Sequence, residues 1–233
     1  MIRKSDLNGF DLPGQLEALK ATLFADDTTT YLTEEDKFEV LQVILNTWCS
    51  AAKAKFNIPK TEIIPIGTPS YRQEFVQTYK STGHWKDYPL NVHVAGDGEA
   101  VRILGAFLGN DIGECEVWSM RLAKLKDTLR RWKLGRSTLE GKRHVAQMFI
   151  GGMTQFLTDV QRMPNQIRSR LTKILRRYIW DDKHNTPVGM AHLALPFEDS
   201  GVKILDLEAR NEAISISWLK SYLTLGPNRP WWA

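Results

Sequence analysis

The sequence predicts an α+β protein in two parts, a mixed part over residues 1–113 and an all-helical part over residues 114–233. Three observations carry this reading. Short β-prone runs and a single strong helical pattern occupy the first part. Apolar residues at helical spacing dominate the second. Between them Gly109-Asn110-Asp111-Ile112-Gly113 punctuates the chain, as Gly, Asn and Asp do at joints. With 233 residues, 42% of them hydrophobic and eight of them Trp, the chain has material for a packed core, so wholesale disorder is excluded.

In the first part, Ala21-Thr22-Leu23-Phe24 and Thr28-Thr29-Thr30-Tyr31-Leu32 are β-prone and flank Ala25-Asp26-Asp27. This pattern predicts a hairpin with two carboxylates at its tip. Thr33-Glu34-Glu35-Asp36 resembles a capping box, with Asp in the place of Glu, and predicts a helix after it. Phe38, Leu41, Leu45, Trp48 and Ala52 recur at helical spacing and are expected on one buried face. Thr61 to Ile66 reads as a short strand interrupted by Pro65. Residues 67–90, rich in Thr, Ser, Tyr, Lys and Gly, read as a long surface loop. Leu90 to Ala95 and Val101 to Leu108 are expected to pair as a second hairpin around Gly96-Asp97-Gly98.

In the second part, Trp118, Leu122, Leu125, Leu129 and Trp132 predict an amphipathic helix with basic residues off its apolar stripe. Trp48, Trp118 and Trp132 are all assigned to the core. Ser137 and Glu140 predict a capping box for the next helix, which carries Met148, Phe149, Phe156 and Leu157 and contains Gly151-Gly152. Pro164 opens a third helix with Ile167, Leu171, Ile174, Leu175 and Tyr178 apolar, and a fourth runs from about Leu205 to Leu225.

The charge is unevenly spread. Arg121 to Lys183 holds 16 Lys/Arg against five Asp/Glu, an excess of +11, whereas the rest of the chain is net acidic at −7. Arg outnumbers Lys in the basic block, which favours phosphate contact over mere solubility. No apolar run is long enough to span a bilayer, and the N-terminus lacks the apolar stretch of a secretion signal. Cys49 and Cys115 are the only cysteines, so no disulfide framework is expected. These features point to an intracellular setting, cytoplasm or nucleus, with a nucleic-acid partner and no membrane.

Paired carboxylates suit Mg²⁺, and two such ions can clamp the oxygens of a phosphoryl transfer. By itself an Asp pair at a turn is more often a plain turn. The segments taken in order carry more. Phe24-Ala25-Asp26-Asp27 resembles the (F/Y)xDD box of reverse transcriptases, in the form found in non-LTR, LINE-type retrotransposons. Lys60-Thr61-Glu62 is similar to that family's next motif, and Val101-Arg102-Ile103-Leu104-Gly105 to its primer-grip hairpin. Trp118, Trp132, Gly141-Lys142-Arg143, Met163-Pro164, Ile179-Trp180-Asp181-Asp182 and Leu205 to Asn211 resemble pieces of the family's thumb, as found in basidiomycete fungal elements.

The resemblance implies a partial polymerase palm, β-hairpins plus a helix, followed by an all-helical thumb and connection. It implies catalytic roles for Asp26, Asp27 and Lys60, with Asp26 and Asp27 on Mg²⁺ and Leu104 and Gly105 in the primer grip. Its partners are an RNA template and a DNA primer. Arg121, Lys124, Arg131 and Arg143 are the expected phosphate contacts. In the family a first catalytic Asp and the fingers lie well upstream of the Asp pair. Here only 25 residues stand before Asp26, and Asp6 and Asp11 sit in a Gly/Pro-punctuated stretch. The expectation is therefore a truncated reverse transcriptase (RNA-directed DNA polymerase), inactive as this fragment. One alternative is a non-catalytic nucleic-acid-binding fragment that acts through its basic helices. A weaker one is an unrelated Mg²⁺-dependent phosphoryl-transfer enzyme.

Overall fold

The computed structural model describes residues 1–14, 16–79 and 92–230. Their architecture is α+β, with small two-stranded sheets among many helices. The chain divides into two compact units, residues 1–101 with 109–111, and residues 102–108 with 112–233.

In the first unit, β1 (Ala21–Phe24) and β2 (Asp27–Thr30) form an antiparallel hairpin in which Phe24 faces Asp27. Ala25 and Asp26 are left as a two-residue turn, so Asp27 opens the second strand. The turn needs a positive φ at its first residue, and Ala25 supplies it at +52°. An antiparallel bridge between Phe10 and Leu19 precedes the hairpin. Half of the expected box forms: the Asp36 carboxylate accepts from the Thr33 N–H at 2.8 Å, but the Thr33 hydroxyl donates to that carboxylate at 3.1 Å instead of capping the Asp36 N–H. The helix α1 (Phe38–Ala52) nevertheless starts later, after Lys37.

Only the first half of the predicted α1 face is covered. Phe38 and Leu41 are buried with Leu7, while Trp48 is 46% exposed and Ala52 is exposed. The small core closes around the first turns of the helix, and the Trp48 ring packs instead on Phe56, with centroids 5.6 Å apart.

Two sequence expectations are corrected here. The supposed loop at 67–90 contains a helix, α2 (Pro69–Thr78), and its last residues lie outside those described. The Thr68 hydroxyl accepts from the Tyr71 N–H, Pro69 takes the first helical position, and Phe75 stacks with Tyr71 and Tyr79, one turn away on either side. The second hairpin is also different. β3 (Glu62–Ile63) pairs in parallel with β4 (His93–Val94), and β5 (Val101–Ile103) pairs with β6 (Ala106–Leu108). The turn is Leu104-Gly105, with φ of +50° and +88°, the paired positive angles that suit a two-residue hairpin. Leu90, the expected start of the other strand, lies outside the described residues.

The second unit is a helical bundle. The helix α3 (Glu114–Lys133) buries Trp118, Leu122, Leu125 and Leu129, as its spacing predicts, and Val117 beside them. Trp132 is 44% exposed and leans on Phe149, 5.7 Å between centroids. The helix α4 (Leu139–Val145) is capped by Thr138, whose hydroxyl accepts from the Gly141 N–H, so the expected Ser137–Glu140 box does not form. Glu140 turns to Arg143 and His144 instead.

A π-helical segment, Ala146–Gly151, joins α4 to α5 (Gly152–Gln161). Ile150 and Leu157 are buried there, while Met148 and Phe156 are exposed. The helix α6 (Asn165–Ile179) follows Pro164 and buries Ile167, Leu171, Leu175 and Tyr178 against α3 and α4. A short helix α7 (Met190–Ala194), not foreseen, precedes α8 (Leu207–Tyr222), whose Asp206 cap accepts from Glu208 and Ala209 N–H groups.

Candidate nucleic-acid interface

Asp26 and Asp27 are both exposed at the tip of the β1–β2 hairpin. Lys60 ends a 3₁₀ turn, Ile58–Lys60, and is exposed as well. No hydrogen bond or ion pair among the described residues links Lys60 to either aspartate. Nor do the described residues gather three or more His, Cys, Asp or Glu side chains that could hold a metal ion. A two-ion site needs ligands from several sides. Among the described residues the donor set offers one edge of such a site and does not by itself fit a complete Mg²⁺ centre.

Leu104 and Gly105 form the β5–β6 turn. Gly105 has two local reasons to be glycine. Its φ of +88° is strained for any side chain, and a Cβ there would stand 2.9 Å from the Phe156 ring. Phe107 then ties the hairpin to α5, exchanging two hydrogen bonds with the Gln161 amide at 2.8 and 2.6 Å.

The four basic residues singled out in the sequence fall into two pairs. Arg121 and Lys124 lie on α3 and make no ion pair among the described residues. Arg131 and Arg143 are committed to acids one turn away. Asp127 takes Arg131 at 2.9 Å and Arg130 at 2.8 Å. Glu140 takes Arg143 at 2.5 Å, and the Arg143 guanidinium also lies 5.7 Å from the Phe197 ring. Hydrogen bonds from Arg130 and Arg143 hold the Asp127 and Glu140 carboxyls below their ordinary range, against slight burial. Arg143, with its side chain only 15% exposed, is held along the protein surface.

The remaining acids of the basic block are also engaged. Asp181 receives the Lys142 ammonium at 2.7 Å, Asp182 pairs with Lys133, and Asp159 accepts from the Trp218 indole at 2.9 Å. Lys142 itself is buried and donates a further bond to the Ile179 carbonyl at 3.0 Å, satisfying an end of α6. The hydrogen bond from Lys142 keeps the Asp181 carboxyl low. Two segments that the sequence marked separately, Gly141-Lys142-Arg143 and Ile179 to Asp182, are thus one structural joint.

Arg210 of α8 falls within the thumb-like segment Leu205 to Asn211, but nothing in the sequence assigns it a role. It inserts beside the π segment, donating to the Gly151 carbonyl at 3.3 Å and to the hydroxyls of Thr154 and Thr158 at 2.9 and 3.4 Å. Burial lowers its pKa.

What the arrangement leaves outside is positive. With the five acids engaged, Arg121, Lys124 and Lys126 on α3 and Arg170, Lys173 and Arg177 on α6 make no ion pair among the described residues. Among the described residues, no helix is long and apolar enough to cross a membrane, and both cysteines are free. In comparisons with known proteins, no family model matches the chain, and none of the curated proteins matches it.

Proposed function

We propose that the chain is the C-terminal palm and thumb portion of a LINE-type reverse transcriptase, and that it binds template–primer duplex through its helical unit without itself catalysing extension. The carrying observation is the fate of charge in the basic block. Its apolar faces are spent on the core and its acids on local pairs, so a surplus of cations faces solvent. Such cations meet a phosphate backbone and position it without reading bases. The Asp26-Asp27 hairpin tip supports the palm assignment.

The test is titration of the full chain with labelled RNA–DNA and DNA duplexes over a salt series. Log affinity should fall linearly with log salt, with a slope of about −0.9 per phosphate contact on duplex DNA, and with little sequence preference. Primer extension on an RNA template should be undetectable with Mg²⁺ or Mn²⁺. Extension that disappears in Asp26→Ala would show that the chain completes its own site. Absence of duplex binding at low salt would end the reading.

A further inference from the structure

The bundle's unpaired cations are not evenly spread. Lys173, Arg176, Arg177, Asp182, Lys183 and His184 line one depression at the C-terminal end of α6. The chain returns there because Asp181 and Asp182 adopt left-handed backbone angles, φ +51° and +62°, one after the other. That reversal carries Lys183 and His184 back beside the last turn of α6, where the Asp182 N–H bonds the Arg177 carbonyl at 2.8 Å. The Arg176 guanidinium is held from the same side by the His184 carbonyl and the Thr186 hydroxyl, both at 3.4 Å.

Four full positive charges therefore converge on one concavity. The opposing charge within it is small. Asp182 is already taken by Lys133, and the helix terminus contributes only about half a negative charge. Two guanidinium groups offer planar forks of donors, which match the oxygens of a phosphate better than ammonium groups do. Arg131 and Arg143, by contrast, are already occupied by carboxylates.

We infer that this depression at the end of α6 is the principal phosphodiester-binding site of the chain, ahead of the α3 surface. The inference rests on the nucleic-acid reading above and sharpens it to a place.

The test compares K173A/R177A/K183A with R121A/K124A/R131A in the full chain, using a labelled DNA duplex over a salt series. All three positions of the first variant are exposed, and circular dichroism of each variant checks the fold. The first variant should flatten the log–log salt slope by about 2 to 3, one contact at a time by the rule of −0.9 each, and weaken every sequence alike. The second should move the slope by less than about 1. The reverse order, with wild-type binding intact, overturns this site and leaves the nucleic-acid reading standing. Wild-type protein that ignores duplex overturns both. Vesicles of anionic lipid that sediment the wild-type chain, but not K173A/R177A/K183A, while duplex binding is equal in the two, assign the depression to a lipid surface and overturn it as well.

Discussion

The two units are held together by different physics. Among the described residues the helical unit packs 18 buried hydrophobic residues into one cluster, from Phe107 through Leu207. Among the described residues of the first unit, Leu7, Phe38 and Leu41 are the buried members of its cluster, Tyr79, Val92, Ala95 and Val101 are buried outside it, and Leu23, Phe24, Val43 and Ile66 are exposed. What it lacks in apolar packing it replaces with two polar anchors. Asp36 is 3% exposed and accepts from the N–H groups of Asn8, Thr33 and Gly9 and from the Thr33 hydroxyl. Arg72 holds Asp97 through two bonds, Asp111 at 3.0 Å and the Gly67 carbonyl at 2.7 Å. The difference teaches that a small unit can be specified by charge-assisted hydrogen bonds, and that such a unit inherits the pH sensitivity of its anchors.

The largest expected effect breaks the better-packed side. Leu171→Ala removes a fully buried side chain between helices and should cost about 3–5 kcal/mol, read from urea unfolding of the full chain. A cost below about 1 kcal/mol would mean the bundle core collapses around the gap and is far less rigid than its burial implies.

Next in size is the polar anchor. Asp36→Ala should destabilise the first unit by roughly 2–3 kcal/mol, because buried N–H groups lose a charged acceptor. Hydrogen exchange at the Asn8, Gly9 and Thr33 amides should speed up, while exchange in α6 stays slow. Equal acceleration in both would show that the units share one stability.

Asp36 and His93 set opposite pH limbs in the first unit. Burial raises the Asp36 pKa, but hydrogen bonds from Asn8, Thr33 and Gly9 outweigh it, so the folded value lies below the ordinary one. Its contribution is present above the ordinary carboxylate pKa and is lost as pH falls through the lowered folded value. His93 goes the other way. Its bond to Glu62 at 2.5 Å, helped by Glu99 at 3.4 Å, raises its pKa despite partial burial. Its contribution is present below the ordinary histidine pKa and is lost as pH rises through the raised folded value. The first unit should be most protected between these limbs. Asp36→Asn should shrink the acid limb, leaving the share of Asp97, whose carboxyl the Arg72 hydrogen bond also holds low, and His93→Gln should remove the alkaline one, as read by exchange over a pH series.

The smallest effect tests a single turn. Gly105→Ala should cost roughly 1–2 kcal/mol from its left-handed backbone angle, plus whatever Phe156 must yield. Phe156→Ala in the same chain should recover the steric share and leave the backbone share. Full recovery would mean that the positive φ costs nothing there.

Much of this was readable where the signal is local. The hairpin at residues 21–30, α1, α3 and α6 follow from alternation or from apolar residues three and four apart. The start of α2 is also written in Thr68-Pro69, but the polar composition around it masks a helix whose packing comes from three aromatics. The β3–β4 pairing joins strands thirty residues apart, and nothing in either strand names the other. In the site, the engagement of Arg131 and Arg143 was legible, because Asp127 and Glu140 stand four and three residues before them. The depression at the end of α6 was not, since it depends on two left-handed aspartates that no propensity favours in succession.

The π segment between α4 and α5 has a consequence for alignment and for design. Each residue of an α-helix turns the chain by about 100°, so an extra residue in the coil rotates everything beyond it by that angle. The helix before Ala146 and the helix after Gly151 therefore run out of phase, like two gears meshed one tooth apart. Deleting one residue within Ala146–Gly151 would restore a single phase along the rod. Leu157 would leave the interior, Thr154 and Thr158 would swing away from Arg210, and the β5–β6 hairpin would lose its hold on Gln161.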